Sequence, residues 1–147
     1  MKIKILTAGV LCALAIASAA NAADTKSIIK HRQGIMEAIG GHFTAAYSSM
    51  GGMPEFNDNQ VYHAESVARL SKIAVDVFPV GSGDGKTKAN AAVWDNADDF
   101  KAKMDDFLIK ADEFAAASKS RDMASYGAAT KALGGSCKGC HDDFKDK

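Results

Sequence analysis

Apolar side chains recur at intervals of three and four residues in four separate stretches of this chain of 147 residues. Such spacing places them on one face of an α-helix, whereas a half-buried strand alternates apolar and polar residues, and no sustained alternation occurs here. The stretches run from about 26 to 50, from 58 to 78, from 95 onwards and from 122 onwards. The pattern therefore predicts an all-α fold, an antiparallel four-helix bundle with short connections.

Glycine and proline mark the connections between the predicted helices. The sequence GGMPEFND separates the first two helices, and Pro79 with the glycine-rich stretch after it separates the second from the third. Asp95 is predicted as the N-cap of the third helix, with Asp98 and Asp99 in its first turn, where negative charge is favoured. The fourth helix is predicted to begin at Asp122 or just before it.

The first 22 residues differ from the rest of the chain. A short basic start is followed by an apolar run over 5–17, and the Ala-Asn-Ala sequence at 20–22 fits a cleavage site between small residues. The apolar run is shorter than the roughly 20 residues that a membrane-spanning helix needs. We therefore interpret residues 1–22 as a secretory signal peptide and residues 23–147 as the mature domain. We expect that domain in the periplasm, with no membrane anchor after cleavage.

The charge of the chain argues against one class of function. Lys and Arg number 18, as do Asp and Glu, and cleavage after residue 22 would remove Lys2 and Lys4 to leave 16 basic against 18 acidic residues. A nucleic-acid-binding domain carries a basic patch or stripe, which this composition does not suggest. No constellation of general acid, base and nucleophile stands out either, so we do not expect an enzyme.

Two cysteines and a histidine lie close together on the predicted fourth helix. They form Cys137-Lys138-Gly139-Cys140-His141, and Cys-x-x-Cys-His is the attachment motif of c-type haem. Two thiols one helical turn apart can add to the two haem vinyl groups and form thioethers. The next side chain, His141, is then placed to bind the iron as the proximal ligand. The motif predicts one covalent haem c.

Three other interpretations of the motif are weaker. A thiol–disulfide redox pair typically begins a helix beside a βαβ pattern, which is absent here. A structural zinc site needs four ligands, and this motif supplies three. A disulfide within so short a loop would add little stability. A helical protein without any haem is a separate functional hypothesis, and such a protein would show no visible absorption.

Four stretches give the chain a resemblance to the class II c-type cytochromes, the cytochrome c′ family. They are HRQGIMEAIGGHF, the phenylalanine before the glycine-rich connection, VWDNADDF and CKGCHDDFK. The resemblance spans essentially the whole mature domain and implies a haem held between the helices of the bundle. By position it also implies that Arg32 and Gln33 contact the haem edge and that Met36 lies over the distal face. Thr87 and Lys88 would lie in a loop that reaches the haem propionates.

The resemblance implies two functions that depend on Met36. A five-coordinate iron with Met36 packed over its vacant face favours binding of small gases such as nitric oxide or carbon monoxide. A low-spin, six-coordinate iron with Met36 as the sixth ligand favours electron transfer with redox partner proteins. We predict the five-coordinate state and keep the electron carrier as the alternative. Antiparallel dimers through the first two helices are common in the family, so a homodimer is a further expectation.

The remaining chemically interesting side chains are given structural roles. We interpret His31, His42 and His63 as surface or satisfied core histidines and not as iron ligands. Trp94 is predicted to anchor the core near the haem. The resemblance implies that Lys145, one turn after the proximal histidine, tunes the electrostatics of that histidine.

Overall fold

The computed structural model describes residues 8–51 and 57–147, with side chains described over 24–50 and 58–147. Its helices are α1 (Ala8–Ser48), α2 (Asn57–Ala74), α3 (Ala92–Asp95), α4 (Ala97–Ser120) and α5 (Met123–Phe144). A 3₁₀ turn, Ser49–Gly51, extends α1. Over the described ranges the only β pairing is one isolated bridge between Ala89 and Lys145. The predicted all-α fold is confirmed.

The four long helices close into a bundle. Helix α1 packs on α2, α2 on α4, and α4 on α5. The ring closes through the hydroxyl of Tyr126 on α5, which donates to the carbonyl of Ala46 on α1 at 3.4 Å. The centre of the bundle is filled by fully buried side chains such as Phe114, Leu133 and Val67. Because their burial requires all four apolar faces together, the bundle and not any single helix is the stable unit.

Helix α2 ends at Ala74, four residues before the predicted end at Phe78. The chain turns where the Asp76 amide donates to the Ile73 carbonyl at 3.1 Å. Beyond the end of the helix, the carbonyl of Val77 accepts a hydrogen bond from Arg32 at 3.3 Å. Pro79 adds to the effect, because the residue before a proline is disfavoured in α-helical conformation.

The start of the third long helix was also predicted incorrectly. Asp95 is the last residue of the short helix α3, and Asn96 is the residue between α3 and α4, without a side-chain capping bond. Helix α3 begins earlier because the side chain of Asn90 accepts from the Ala92 amide at 3.0 Å. Asp98 and Asp99 do lie in the first turn of α4, as predicted.

The start of α5 agrees with the prediction. The carboxylate of Asp122 accepts from the amides of Ala124 at 3.1 Å and Ser125 at 3.4 Å. These contacts satisfy two of the amides that the first turn of a helix leaves without partners. Helix α5 therefore begins at Met123.

The division into a signal peptide (1–22) and a mature domain (23–147) stays a prediction. Residues 1–7 lie outside the described residues, and α1 runs from Ala8 past the predicted cleavage site. Within the part of the chain that the structure describes, no helix combines the length and the apolar character needed to span a bilayer.

Candidate functional site

A cavity of about 600 Å³ opens between α1 and α5. This volume is within the range of sites that hold small molecules and cofactors. The apolar part of its wall comes from Met36, Ile39, Phe43, Phe78, Val93, Phe100, Met104, Phe107 and Phe144. Its open edge is formed by the loop between α2 and α3 (residues 75–91, the α2–α3 loop) and by the last turn of α5.

The register of α1 against α5 determines which residues face each other across the cavity. A Cβ atom built on Gly127 would lie 3.6 Å from the Met50 methyl group, and one built on Gly134 would lie 3.6 Å from the Phe43 ring. Between these two contacts the residue number rises by seven on α5, from 127 to 134, and falls by seven on α1, from 50 to 43. The two helices are therefore antiparallel. Another seven residues bring Met36 level with His141. Both line the cavity, so Met36 and the end of the haem motif occupy opposite walls.

Gly40 and Gly41 are neighbours on α1 that make no close contact with another helix. Cβ atoms built on these two glycines would meet nothing within 4 Å, and Gly40 lines the cavity. Gly127 and Gly134 on α5 face α1, where an added Cβ would meet Met50 and Phe43 at ordinary van der Waals distance. Gly40 instead leaves room on the cavity wall.

Cys137 and Cys140 line the cavity as half-buried free thiols. Burial raises the pKa of both thiols. Both are therefore largely protonated at neutral pH, which does not suit a redox pair that acts through a reactive thiolate. Among the described residues no group of three His, Cys, Asp or Glu side chains is arranged to hold a metal ion.

His141 follows Cys140 directly, and its side chain is exposed towards the open cavity. Partial burial lowers the pKa of this imidazole, and the positive charge of Lys145 lowers it further. The ring is therefore neutral at pH 7, which is the form that binds a metal. The other three histidines, His31, His42 and His63, do not line the cavity.

Arg32 lies at the polar edge of the cavity and is only 3% exposed. Its Nη1 donates to the Val77 carbonyl at 3.3 Å and to the Ser82 hydroxyl at 2.8 Å. Its Nη2 donates to the Ser82 carbonyl at 2.9 Å and to the Thr87 hydroxyl at 3.0 Å. The guanidinium carbon also lies 5.0 Å from the ring centre of Phe78. Arg32 therefore holds the α2–α3 loop against α1.

All four acceptors of Arg32 are neutral, and no carboxylate among the described residues pairs with it. Burial lowers the pKa of the guanidinium, but an arginine stays protonated at neutral pH. A buried cation without a counterion is costly. The cavity edge therefore suits a ligand that brings a carboxylate.

Two other predicted residues also hold the α2–α3 loop in place. The Gln33 amide donates to the Lys86 carbonyl at 2.9 Å. The Thr87 hydroxyl accepts from the Ala89 amide at 3.1 Å in addition to Arg32. The structure thus brings every predicted site residue to this one cavity: Arg32, Gln33, Met36, Thr87, Cys137, Cys140 and His141.

Two residues of this region have roles that the sequence did not reveal or revealed only in part. Ser82 is 1% exposed and takes two of the Arg32 hydrogen bonds, yet a serine in a glycine-rich stretch carries no signal of burial. Trp94 was predicted to anchor the core. Its indole N–H lies 3.2 Å from each of the carbonyls of Phe78 and Pro79, so it fixes the start of the α2–α3 loop behind Arg32.

The end of α5 is also tied to this loop. The Asn90 amide donates to the Phe144 carbonyl at 3.1 Å, and the Asp146 amide donates to the Lys88 carbonyl at 2.8 Å. These backbone contacts bring the α2–α3 loop next to the turn that follows the two cysteines. The polar and the thiol-bearing edges of the cavity are therefore held together.

The residues around the cavity fit haem c. Cys137 and Cys140 are one helical turn apart on one wall, which suits two thioether bonds, and a neutral imidazole follows them. The apolar side chains match the faces of the porphyrin. The guanidinium of Arg32 has hydrogen-bond acceptors but no carboxylate partner among the described residues, so it suits a propionate carboxylate.

Comparisons with known proteins agree with this fit. The family model described as cytochrome C′ matches residues 27–145. The cytochrome c′ of Pararhodospirillum photometricum is 35% identical over 125 residues, which is 84% of this chain and 100% of that protein. The structure of cytochrome c prime from Shewanella frigidimarina superimposes with a TM-score of 0.79 at 35% identity and covers 84% of this chain and 97% of that one. A nitric oxide complex of a variant of cytochrome c prime from Alcaligenes xylosoxidans superimposes with a TM-score of 0.77 at 27% identity and covers 84% of this chain and 96% of that one.

The match of the family model covers most of the chain, and the relatives match it over nearly their whole lengths. The bundle, the position of the cavity and the Cys-x-x-Cys-His sequence at the end of α5 agree with that assignment. The chain belongs to the cytochrome c′ family, a family of haem proteins that carry a single covalently attached haem c.

Proposed function

We propose that this protein binds nitric oxide and carbon monoxide at a five-coordinate haem iron, with Met36 packed over the vacant face. The observation that carries the proposal is the apolar wall around Met36. On α1 the apolar residues that follow Met36 along that wall are Ile39, Gly40 and Phe43, whereas the polar side chains of Glu37 and Thr44 at its margin are exposed to solvent. The nitric oxide complex of the Alcaligenes relative supports the same assignment.

An apolar distal wall selects among small ligands. The polarity, hydrogen-bond donors and steric access of the distal side decide what a haem iron binds. Met36 and Phe43 offer no donor, so ligands that depend on a hydrogen bond at the iron gain nothing there. Met36 packs against the core while remaining half-buried, so a small displacement of its flexible side chain can admit a diatomic gas.

The chain's own residues would hold the haem in place. Cys137 and Cys140 would form the two thioethers, and the neutral His141 imidazole would bind the iron from the α5 side. Arg32 would neutralise a propionate, with Thr87 and Gln33 holding the loop beside it. The haem supplies the redox and gas-binding chemistry when bound. We assign the protein the role of a gas binder and electron carrier and not that of an enzyme.

A second function follows from the register of α1 against α5. Met36 lies level with His141 on the opposite wall, which is where a sixth ligand has to lie. A thioether that bound the iron would give a low-spin electron carrier that exchanges electrons with redox partner proteins. The two functions thus differ in one contact, the one between the Met36 sulfur and the iron.

Visible spectra of the purified holoprotein test the choice. We expect high-spin spectra in both oxidation states. We expect Met36→Ala to speed nitric oxide and carbon monoxide binding while leaving the resting spin state nearly unchanged. Ile35→Ala is a matched control, because Ile35 is a half-buried neighbour on α1 that does not line the cavity. A low-spin spectrum with a sulfur-to-iron charge-transfer band that Met36→Ala removes would instead establish the electron carrier.

The covalent attachment is tested separately. Acid–acetone extraction should leave the colour on the protein, and replacing both Cys137 and Cys140 by alanine should make the haem extractable or absent. His141→Ala should abolish the native spectrum, whereas His31→Ala should not. Colour that extracts from the unaltered protein would contradict the thioether assignment.

We also propose export to the periplasm and a homodimer. Export rests on the predicted signal peptide, and the mass of the mature protein should show cleavage after Ala22.

The dimer rests on the first two helices, where Tyr47 on α1 and Tyr62 on α2 are each more than 60% exposed. Light scattering should give twice the mass of the mature holoprotein, and a monomer mass would contradict it.

A further inference from the structure

A pair of histidines joins α1 to α2 outside the haem cavity. His42 on α1 and His63 on α2 are half-buried, and their Nδ1 atoms lie 2.8 Å apart. The ring centres are 5.1 Å apart, with the planes tilted by 49°. The ring of Tyr62 lies edge-on to both imidazoles. Neither histidine lines the cavity between α1 and α5.

The short contact restricts the protonation of the pair. One Nδ1 must donate and the other must accept, since two Nδ1–H groups cannot face each other at this distance. Burial and the neighbouring charge of His42 lower the pKa of His63. A metal ion bound by both rings would need both Nδ1 lone pairs, so the donating ring would move its proton from Nδ1 to Nε2 and both imidazoles would stay neutral, the form that transition metals bind.

The separation of the two nitrogens matches one coordination geometry better than another. Nitrogens bound at about 2.0–2.1 Å from a metal stand about 2.9 Å apart at a right angle and about 3.4 Å apart at the tetrahedral angle. The observed 2.8 Å is the length of a hydrogen bond between the two rings and is also close to the right-angle value, so a metal ion could replace the shared proton with little change in the separation of the nitrogens. Right-angle, tetragonal coordination by nitrogen and oxygen is characteristic of copper(II) and nickel(II), and copper(II) binds most tightly in the divalent series.

We propose that His42 and His63 form a two-histidine site for copper(II) that bridges α1 and α2, independent of the haem. Water completes the coordination, because no third His, Cys, Asp or Glu among the described side chains joins the pair. Glu65, two residues after His63 on α2, is paired with Lys119 at 2.7 Å and with Arg69 at 3.4 Å. With two protein ligands the site binds copper reversibly and exchanges it.

Titration calorimetry of the untagged holoprotein with copper(II) at pH 7.5 tests the site. We expect one saturable copper per chain. His42→Gln and His63→Gln should each weaken it by at least about tenfold, a loss that even second-shell changes around a metal-bound histidine can cause. Zinc(II) should bind more weakly than copper(II), because it prefers tetrahedral angles and lies lower in the affinity order.

His31→Gln is the matched control, because His31 is an exposed histidine on the same helix that does not join the pair. It should bind copper as the unaltered protein does. Electron paramagnetic resonance of the copper-loaded holoprotein should show coupling to two nitrogens, a result that does not depend on any variant folding. Copper binding that persists when both histidines are replaced, one copper per two chains, or no saturable binding would each overturn the proposal.

Discussion

Replacing Arg32 by alanine should destabilise the fold more than any other single change at the edge of the haem cavity. The guanidinium makes four hydrogen bonds to the α2–α3 loop, at 2.8 to 3.3 Å. It also lies over the rings of Phe78 and Trp94, at 5.0 and 5.9 Å from their centres. The alanine variant removes all six contacts and leaves Ser82, which is 1% exposed, without a donor for its hydroxyl and carbonyl oxygens.

The expected loss follows from those contacts. A hydrogen bond to a charged group contributes about 1.5–3 kcal/mol, and each cation–π contact adds about 0.5–1 kcal/mol. The four bonds share one guanidinium, and water from the open cavity can replace part of them, so the contributions do not add fully. We therefore expect a loss of about 3–5 kcal/mol, which is a large share of the 5–15 kcal/mol typical of a domain.

Thermal unfolding of the holoprotein, followed by circular dichroism at 222 nm and by the Soret band, measures this loss. For a domain of this size the expected fall in Tm is roughly 10–20 °C. Gln33→Ala is the matched control, because Gln33 is the next residue and makes one exposed hydrogen bond to the Lys86 carbonyl. It should cost less than about 1 kcal/mol. Arg32→Lys should fall between the two, since a single ammonium group cannot reproduce the forked contacts.

Limited proteolysis adds a local measurement. If Arg32 holds the α2–α3 loop, Arg32→Ala should speed cleavage after Lys86 and Lys88, which are both exposed in that loop. A Tm for Arg32→Ala within about 3 °C of that for Gln33→Ala, with unchanged cleavage, would refute the role of the buried guanidinium, because the two variants would then differ by only about 1 kcal/mol or less.

Three further predictions concern the helix cap, the α2–α3 loop and pH. Asp122→Ala should cost about 1 kcal/mol in urea unfolding, because it removes the N-cap of α5. Gly83→Ala should cost about 1–3 kcal/mol, because its Cβ would lie 2.9 Å from the Trp94 ring, whereas Gly135→Ala on open helix surface should not destabilise. Burial and the adjacent histidine hold the pKa of His63 below its ordinary value, so the unfolded chain takes up the proton first as pH falls. The unaltered protein should therefore lose stability relative to His63→Gln between pH 7.5 and pH 5, and equal losses would contradict this reading.

Local features of the sequence were enough to predict the fold class and to point to one covalent haem c. Helical periodicity depends on neighbours three and four residues apart, so four amphipathic stretches could be recognised without knowing their partners. Cys137, Cys140 and His141 are likewise adjacent in sequence, and their spacing alone predicts their chemistry. The start of α5 was predicted because Asp122 caps amides only two and three residues away.

The positions of Arg32, Gln33 and Met36 were reached by resemblance and not from spacing. Arg32 and Met36 are one turn apart, which puts them on one face of a helix, but that spacing does not say what the face meets. Only the packed structure shows Arg32 bonded to a loop 45 to 55 residues away in sequence. Only the register of α1 against α5 shows that Met36 lies level with His141.

The features that the sequence did not predict all depend on contacts between distant segments. Helix α2 stops at Ala74 although the apolar pattern continues to Phe78, and the Val77 carbonyl beyond its end is bonded to Arg32 on another helix. Ser82 is buried because the same arginine needs acceptors, and His42 meets His63 because α1 packs on α2. Periodicity and short motifs report interactions within a few residues, whereas these contacts exist only once the bundle has closed.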